Sequence, residues 1–404
     1  MTPTSPKRVG TCILGAGPHG LAMALHLQEA DPAAAEHAVV IDPSGRWMSN
    51  WYNQFERLGI DVLRSPSVHH PGPSVDALSS FVRRQRLPTS GLKYDPPMSA
   101  TFTAFTRHLV EAAGLAPPAA LKPRSITRQE DGRLQIATTT TTVVADQVVI
   151  ASNPHRRNIP EGLWPLCGRS PARLAHAADI DLTVLPDLTG ERIAIMGGGL
   201  TAGHLATGAA RRGAVVDLIT RQPLRIRDFD LDPGWLGPKF LHGFDQCSDP
   251  RARLDLAMSA RGGGTIPQWM RDELQHERIT LHEGVPVVGA EAQVDHYRLD
   301  LEGGRNVEAE RLWLATGTTP DISALRCLEP LLPDIAIIDD LPVPDDDLRI
   351  GLHPVYVMGR LATLTLGPAA GNLWGSRQAA RRITRAITGT DVTTLSSRRS
   401  GARR

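Results

Sequence analysis

An α/β architecture assembled from one unit used twice is what this sequence predicts, on three observations. An apolar strand runs into a glycine turn and a helix at residues 9–30. An acid closes the strand that follows. The strand, turn and helix then return at residues 191–220. Each unit places a helix N-terminus behind a glycine-rich turn, the Rossmann-like dinucleotide-binding arrangement. The chain has 404 residues, too many for one ordinary core, so two or more packed units are expected.

Residues 9–14, VGTCIL, are apolar apart from Thr11, as a strand covered on both faces should nearly be, and lead into Gly15-Ala16-Gly17-Pro18-His19-Gly20. The next strand, HAVVIDP, ends on Asp42, 22 residues after Gly20. That is close to the ~20 separating a glycine turn from a ribose-binding acid. Gly15, Gly17, Pro18, His19, Gly20 and Asp42 are therefore the first candidate nucleotide site. Residues 44–125 are irregular, broken by SPSVHHPGPS and KYDPP, with amphipathic helices expected in DALSSFVRRQR and ATFTAFTRHLVEAAG. A β-meander follows with a turn at Asp131-Gly132, and its threonine run 138–142 is expected as an edge strand.

The opening pattern recurs in ERIAIMGGGLTAGHLATGAARRGAVVDLIT. Gly197, Gly199, Leu200, Thr201 and Ala202 form the second candidate turn, with Ala202 in the usual third-glycine position. Its second strand closes on Thr220-Arg221 without an acid. A guanidinium pairs with a 2′-phosphate that a carboxylate would repel, which favours NADPH over NADH here. The bland alternative is a solvated arginine, in a chain where 40 of 44 basic residues are Arg. Residues 221–275 are too long for a simple connection and are expected as a lid or binding loop. Strands with a hairpin at Gly303-Gly304 follow, then a strand, a glycine-rich loop and a helix from PVYVMGRLATLTLGPAAGNLWG, with residues 391–404 expected as a disordered tail.

The net charge of +1 argues against a strongly basic nucleic-acid binder. Cys12, Cys167, Cys247 and Cys327 include no C-x-x-C, so neither a zinc ribbon nor a neighbouring redox dithiol is expected. No run approaches the ~20 apolar residues of a membrane helix, and no signal-type stretch precedes the first strand, so the expected compartment is the cytoplasm. His69-His70 and Asp345-Asp346-Asp347 read as loop residues and a polar turn, and no metal is expected.

The motifs GAGPHG, IDPSGRW, GGGLTAG, LATG at 314–317 and GPAAGN, in this order, resemble the two-dinucleotide-binding flavoproteins. Within them the chain is most similar to the NADPH-dependent class B flavin monooxygenases, nearest the ornithine and lysine N-hydroxylases. GIDVLRSPSVHHPGPS resembles a segment of that branch. The resemblance implies an FAD-binding domain over 1–185 and 313–390, interrupted by an NADPH-binding domain over 186–312 in which 221–275 is the lid. It adds Arg46, Trp47, Thr316, Gly317, Gly359, Gly367 and Asn372 to the cofactor contacts. It departs at Ala151-Ser152-Asn153, at Arg360, where many relatives carry Asp, and in lacking an F-x-G-x-x-x-H-x-x-x-W fingerprint.

The implied chemistry is reduction of FAD by NADPH, formation of a C4a-(hydro)peroxyflavin with O2, and transfer of one oxygen atom to an amine or amino acid. Asp61 and Arg64 are the candidate catalytic residues, Arg64 as a cation beside the peroxide. Trp235 and Lys239 either line a substrate pocket or pack a loop helix, and His204 is expected near the NADPH phosphates. The partners implied are a small-molecule substrate and O2, with neither nucleic acid nor membrane, in a family whose members are often homo-oligomers. The alternative is a flavin-dependent NAD(P)H oxidoreductase without oxygen insertion.

Overall fold

Strand Lys7–Leu14 organises the first sheet of this computed structural model, which describes residues 7–166, 173–185 and 187–390. Cys167 and the tail 391–404 lie outside the described residues. The strand pairs in parallel with Ala38–Ile41 on one edge and Thr142–Ile150 on the other, which buries Cys12, Ile13 and Leu14 completely or nearly so. Thr142–Ile150 is long enough to serve two partners on its far edge. Its first half pairs antiparallel with the hairpin strand Leu134–Thr138, and its last three residues pair in parallel with Val355–Val357. The sheet is thus completed by a strand some 200 residues downstream. Helices Pro18–Ala30 and Leu373–Thr388 pack on each other against it.

The second sheet is wholly parallel, in the order Ile279–Glu283, Val215–Thr220, Arg192–Met196, Arg311–Leu314, Leu174–His176. Helix Leu200–Ala210 buries Ala202, Leu205, Ala206 and Ala209 against it. An antiparallel meander of Val287–Ala292, Tyr297–Leu301 and Asn306–Ala309 follows, turning at Gly303 and Gly304, both at positive φ. The chain crosses between the two sheets twice, and the crossings pair antiparallel: His155–Arg157 with Thr318–Pro320. The fold class is therefore the expected one, two Rossmann-like α/β units in one chain.

One expectation needs adjustment. The threonine run is no edge strand. Thr138 ends one strand, Thr142 begins the next, and between them Thr141 N donates to Thr138 Oγ1 (3.1 Å) while Thr138 Oγ1 donates to Thr141 O (2.7 Å). Threonine hydroxyls that bond the local backbone compete with the sheet ladder. The stretch 221–275 is largely helical, with helices Pro238–Gln246, Pro250–Arg261 and Gln268–Glu273. The middle helix is specified locally. Asp249 caps it by accepting from Arg251 N and Ala252 N, Pro250 opens it, and Gly262 ends it at φ +56°.

Candidate functional site: two glycine turns and the loops between them

The first turn has the geometry of an open cradle. Gly15 sits at φ +110°, and a Cβ on Gly20 would lie 1.9 Å from Gly15 O, so the turn closes onto the helix only with glycine there. A Cβ on Gly17 would meet nothing within 4 Å, leaving that face of the backbone bare. Pro18 opens the helix, where its missing N–H is no loss. Asp42 Oδ2 accepts from Ala16 N (3.0 Å) and Oδ1 from Ser44 N (2.9 Å), so the strand-ending acid is fixed against the turn with lone pairs to spare. Gly45 at φ +63° turns the chain back, and Met48 N donates to Ala16 O (2.8 Å). Trp47 Nε1 donates to Ala116 O (3.0 Å), whereas Arg46 is exposed.

The C-terminal loop lies on this turn. His19 Nε2 donates to Ala370 O (3.2 Å), since a carbonyl can only accept, and the His19 ring lies 3.5 Å from where a Gly359 Cβ would stand. Desolvation lowers the His19 pKa from 6.5 to about 4, against the bond to Ala370, which keeps the ring neutral. Gly367 (φ +77°) rests on Leu241, and a Cβ on Gly375 would lie 2.3 Å from Ala370 O, so the loop is pressed against its helix. Asn372 begins that helix.

The second turn is built alike but faces protein. Gly197 stands at φ +147°, and a Cβ there would lie 2.3 Å from Ala315 O. Leu200 and Thr201 open the helix, and Ala202, buried, replaces the third glycine without clash. Gly199 corresponds to Gly17, yet its bare face looks onto the Cα of Gly264, 3.7 Å from an added Cβ. Arg221 is exposed, and its side chain has no hydrogen-bond or ion-pair partner among the described residues. His204 is buried on the helix beside Trp269 (6.0 Å between centroids).

Between the turns lie residues that sequence reasoning reached only partly. Thr316 donates to Asn158 O, Asn158 N donates to Gly317 O (3.1 Å), and Thr319 Oγ1 donates to Asn158 Oδ1 (2.7 Å), so Asn158 locks the two crossings together. Arg64 belongs to a different setting from the one expected of it. Its Nε, Nη1 and Nη2 donate to Asp228 O (3.1 Å), Thr265 O (3.1 Å) and Arg227 O (2.6 Å), so it clamps the insertion. Asp61 is exposed, with no side-chain bond among the described residues, while its carbonyl accepts from Ser99 N (2.8 Å). Trp235 packs on Phe240 and Phe244, and Lys239 lies over Phe240, which is the packing alternative. His70 spends its ring nitrogens on the loop, with Val75 O and Gly72 N.

Three groups not proposed as site residues stand here. Arg261 Nε donates to Pro368 O (2.9 Å) and Nη2 to Asn372 Oδ1 (3.2 Å). Asn372 Nδ2 faces Asp230 Oδ1 at 3.4 Å. Arg360 donates to Thr318 Oγ1 (2.9 Å) and Thr318 O (2.7 Å), and burial, then the nearby Arg261, push it down to about 10, still charged at neutral pH. A GGG run directly after an arginine was the available sequence signal for Arg261. Asp230 and Arg360 had none that pointed at these partners.

Fold and site together define a protein with two dinucleotide cradles joined by a shared loop system. The chain belongs to the family described as Pyridine nucleotide-disulphide oxidoreductase, which it matches over residues 12–331. No curated protein sequence matches it. Solved structures share its fold over nearly the whole length. The ornithine N-hydroxylase of Kutzneria sp. 744 aligns with a TM-score of 0.78 at 17% identity, covering 95% of this chain and 99% of that one. The cadaverine monooxygenase of desferrioxamine biosynthesis from Erwinia amylovora gives 0.74 at 18% identity, covering 95% of each. The L-lysine 6-monooxygenase of Pseudomonas syringae gives 0.73 at 17% identity, covering 94% of this chain and 99% of that one.

Proposed function

We propose that this chain is an FAD-dependent, NADPH-using monooxygenase that places one oxygen atom of O2 on the nitrogen of a primary amine or amino acid. The observation that carries the reading is the linkage of the two cradles. The C-terminal loop is bonded to the first turn through His19–Ala370 and, through Asn372 and Pro368, to Arg261 beside the second turn. Residues 367–372 would thus border whatever groups the two cradles hold. FAD, when bound, supplies hydride acceptance and reaction with O2. The chain's own tasks are to bind and orient. Gly15, Gly17 and Gly20 bring backbone N–H groups to a diphosphate, Asp42 accepts from ribose hydroxyls, and Arg221 offers a free cation to a 2′-phosphate. His19 keeps the loop on the turn, and Arg64 acts as a positioning residue that fixes the insertion over the site. In this reading the FAD-binding domain is 1–185 with 313–390, the NADPH-binding domain is 186–312, and the enzyme works in the cytoplasm. The shared fold of three enzymes whose named substrates are primary amines supports the choice of nitrogen.

The family's name raises a second reading, a flavin-dependent reductase. Among the described residues, Cys12 and Cys327 are buried, their thiols pushed up to about 12 and about 11 chiefly by desolvation, which makes poor nucleophiles. Cys247 has no cysteine neighbour in the sequence. The FAD-loaded protein should be bleached anaerobically by NADPH. It should then, with O2 and a panel of ornithine, lysine and cadaverine, yield hydroxylamine in proportion to NADPH consumed. NADPH oxidation giving only hydrogen peroxide with every amine would favour the reductase reading. No bleaching by NADPH or NADH would refute both.

A further inference from the structure

The two glycine turns differ in one respect that their sequences do not show. The second glycine of such a turn is bare so that a diphosphate can approach its backbone. At Gly17 that face is open, whereas at Gly199 it is covered by Gly264. The cover fits tightly. A Cβ on Gly264 would lie 2.8 Å from Gly199 N and 2.9 Å from both Gly198 C and Gly198 O. It lies at the end of a short segment that leaves helix Pro250–Arg261 through Gly262 and Gly263, at φ +56° and +92°, conformations that glycine alone adopts freely. A Cβ on Gly263 would touch nothing within 4 Å, so the bend has room to move.

We propose that residues 261–265 are a strap that closes the second turn and lifts to admit a pyridine dinucleotide, with Arg261 as the latch that holds it down. The latch reaches the loop beside the first turn, through Pro368 O and Asn372 Oδ1. The other end is pinned by Arg64 on Thr265 O and by Ile266 N donating to Arg225 O (3.0 Å), while Arg225 Nη1 donates to Gly262 O. Lifting Gly264 therefore pulls on Arg261, and Arg261 pulls on residues 368–372. Occupancy of one cradle is thereby signalled to the loop that lies on the other, by a packed contact with two arrangements. Arg261 is a positioning residue in this scheme and touches neither dinucleotide.

The inference rests on the second turn being the pyridine-nucleotide site, and the test separates the two claims. NADP+ is mixed with the full-length, FAD-loaded protein in a stopped-flow instrument while tryptophan fluorescence is followed, and hydrogen exchange is measured for residues 262–266 with and without NADP+. In the wild type, the observed rate should level off at high NADP+, as expected when opening precedes binding. Exchange in the strap should rise on binding. Arg261→Gln, which loses the charged donor, should raise the plateau and the affinity by about tenfold. Gly264→Ala, whose methyl pushes the strap off Gly199, should act in the same direction. If instead Gly264→Ala weakens NADP+ binding and the wild-type strap becomes more protected on binding, the strap is a fixed wall of the cradle and the proposal is wrong. The wild-type exchange decides this even if a variant folds poorly. Binding of NADP+ by none of the three proteins would overturn both the strap and the assignment of the second turn.

Discussion

Replacing Gly17 by Ala isolates the diphosphate contact from the fold. Gly17 has φ −75° and ψ −167°, a backbone that alanine adopts, and its added methyl meets no protein atom within 4 Å. Alanine is a poorer helix N-cap than glycine by up to about 1 kcal/mol, and its smaller unfolded-state entropy returns about 0.4–1 kcal/mol. The apoprotein should therefore melt within about 4 °C of wild type, given ~2–4 °C per kcal/mol for domains of this size. FAD should suffer far more. The methyl occupies the face a diphosphate must reach, and loss of one charge-assisted hydrogen bond costs about 1.5–3 kcal/mol, or roughly 10- to 150-fold in Kd. The control is Gly20→Ala, whose methyl would stand 1.9 Å from Gly15 O. The turn must open by more than about 1 Å to accept it, at a cost of at least ~1–3 kcal/mol, and both melting and FAD binding should fall together. Differential scanning fluorimetry on apoprotein and flavin fluorescence quenching on titration with FAD give the two numbers. Wild-type FAD affinity in Gly17→Ala would refute the placement of the diphosphate against the first turn.

Other perturbations test neighbouring claims. Arg221→Ser should lower kcat/KM for NADPH by roughly 10- to 150-fold and leave NADH nearly unchanged, the loss expected for one charged hydrogen bond to a 2′-phosphate. Equal effects on both nucleotides would make Arg221 a surface residue. Arg64→Met removes three hydrogen bonds to backbone carbonyls of the insertion, and limited proteolysis should then cut within 225–265 faster than in wild type. Unchanged cleavage would deny the clamp. His19, His26, His70 and His204 all have pKa values lowered by burial from 6.5 to about 4. Below pH ~6.5 the unfolded chain takes up protons that the fold refuses. Stability from these groups is therefore complete above about pH 6.5 and is lost as pH falls towards 4, by at most about 1.4 kcal/mol per pH unit for each. A melting temperature flat between pH 7.5 and 5 would contradict their burial.

What the sequence made legible is whatever depends on near neighbours. The glycine turns, the strand-ending Asp42 and the hairpins at Gly132 and Gly303-Gly304 are all set by residues within a few positions. Periodicity and turn chemistry reach that far. The threonine run misled because β-propensity favours a strand, whereas hydroxyl bonds between Thr138 and Thr141 favour a turn, and the choice is made by the paired strands on either side. The region between the cradles was closed to such reasoning. Arg64 meets Asp228 and Thr265 across 164 and 201 residues, and Arg261 meets Asn372 across 111. No local pattern announces a partner at that range. For Arg64, chemistry alone suggested a free cation beside a peroxide, whereas the fold spends it on carbonyl groups of the insertion.

That expenditure explains how charges survive in the interior of the loop system. Arg64, Arg261 and Arg360 are each largely withdrawn from water, and burial lowers the pKa of all three. Asp230 stands near Arg64 and Arg261, but no carboxylate pairs with Arg360 at ion-pair distance among the described residues. A guanidinium tolerates this better than an ammonium. It is less strongly hydrated, offers five donors in a fixed fork, and can satisfy them on backbone and side-chain oxygens while staying charged. Each of the three uses the fork to tie together segments that are distant in sequence: 64 with 227–265, 261 with 368–372, and 360 with 318. A lysine at any of these positions could not span two acceptors in the same plane. The preponderance of Arg over Lys, which by composition alone suggests solvated surface charge, therefore includes internal ties on which the geometry between the two cradles depends.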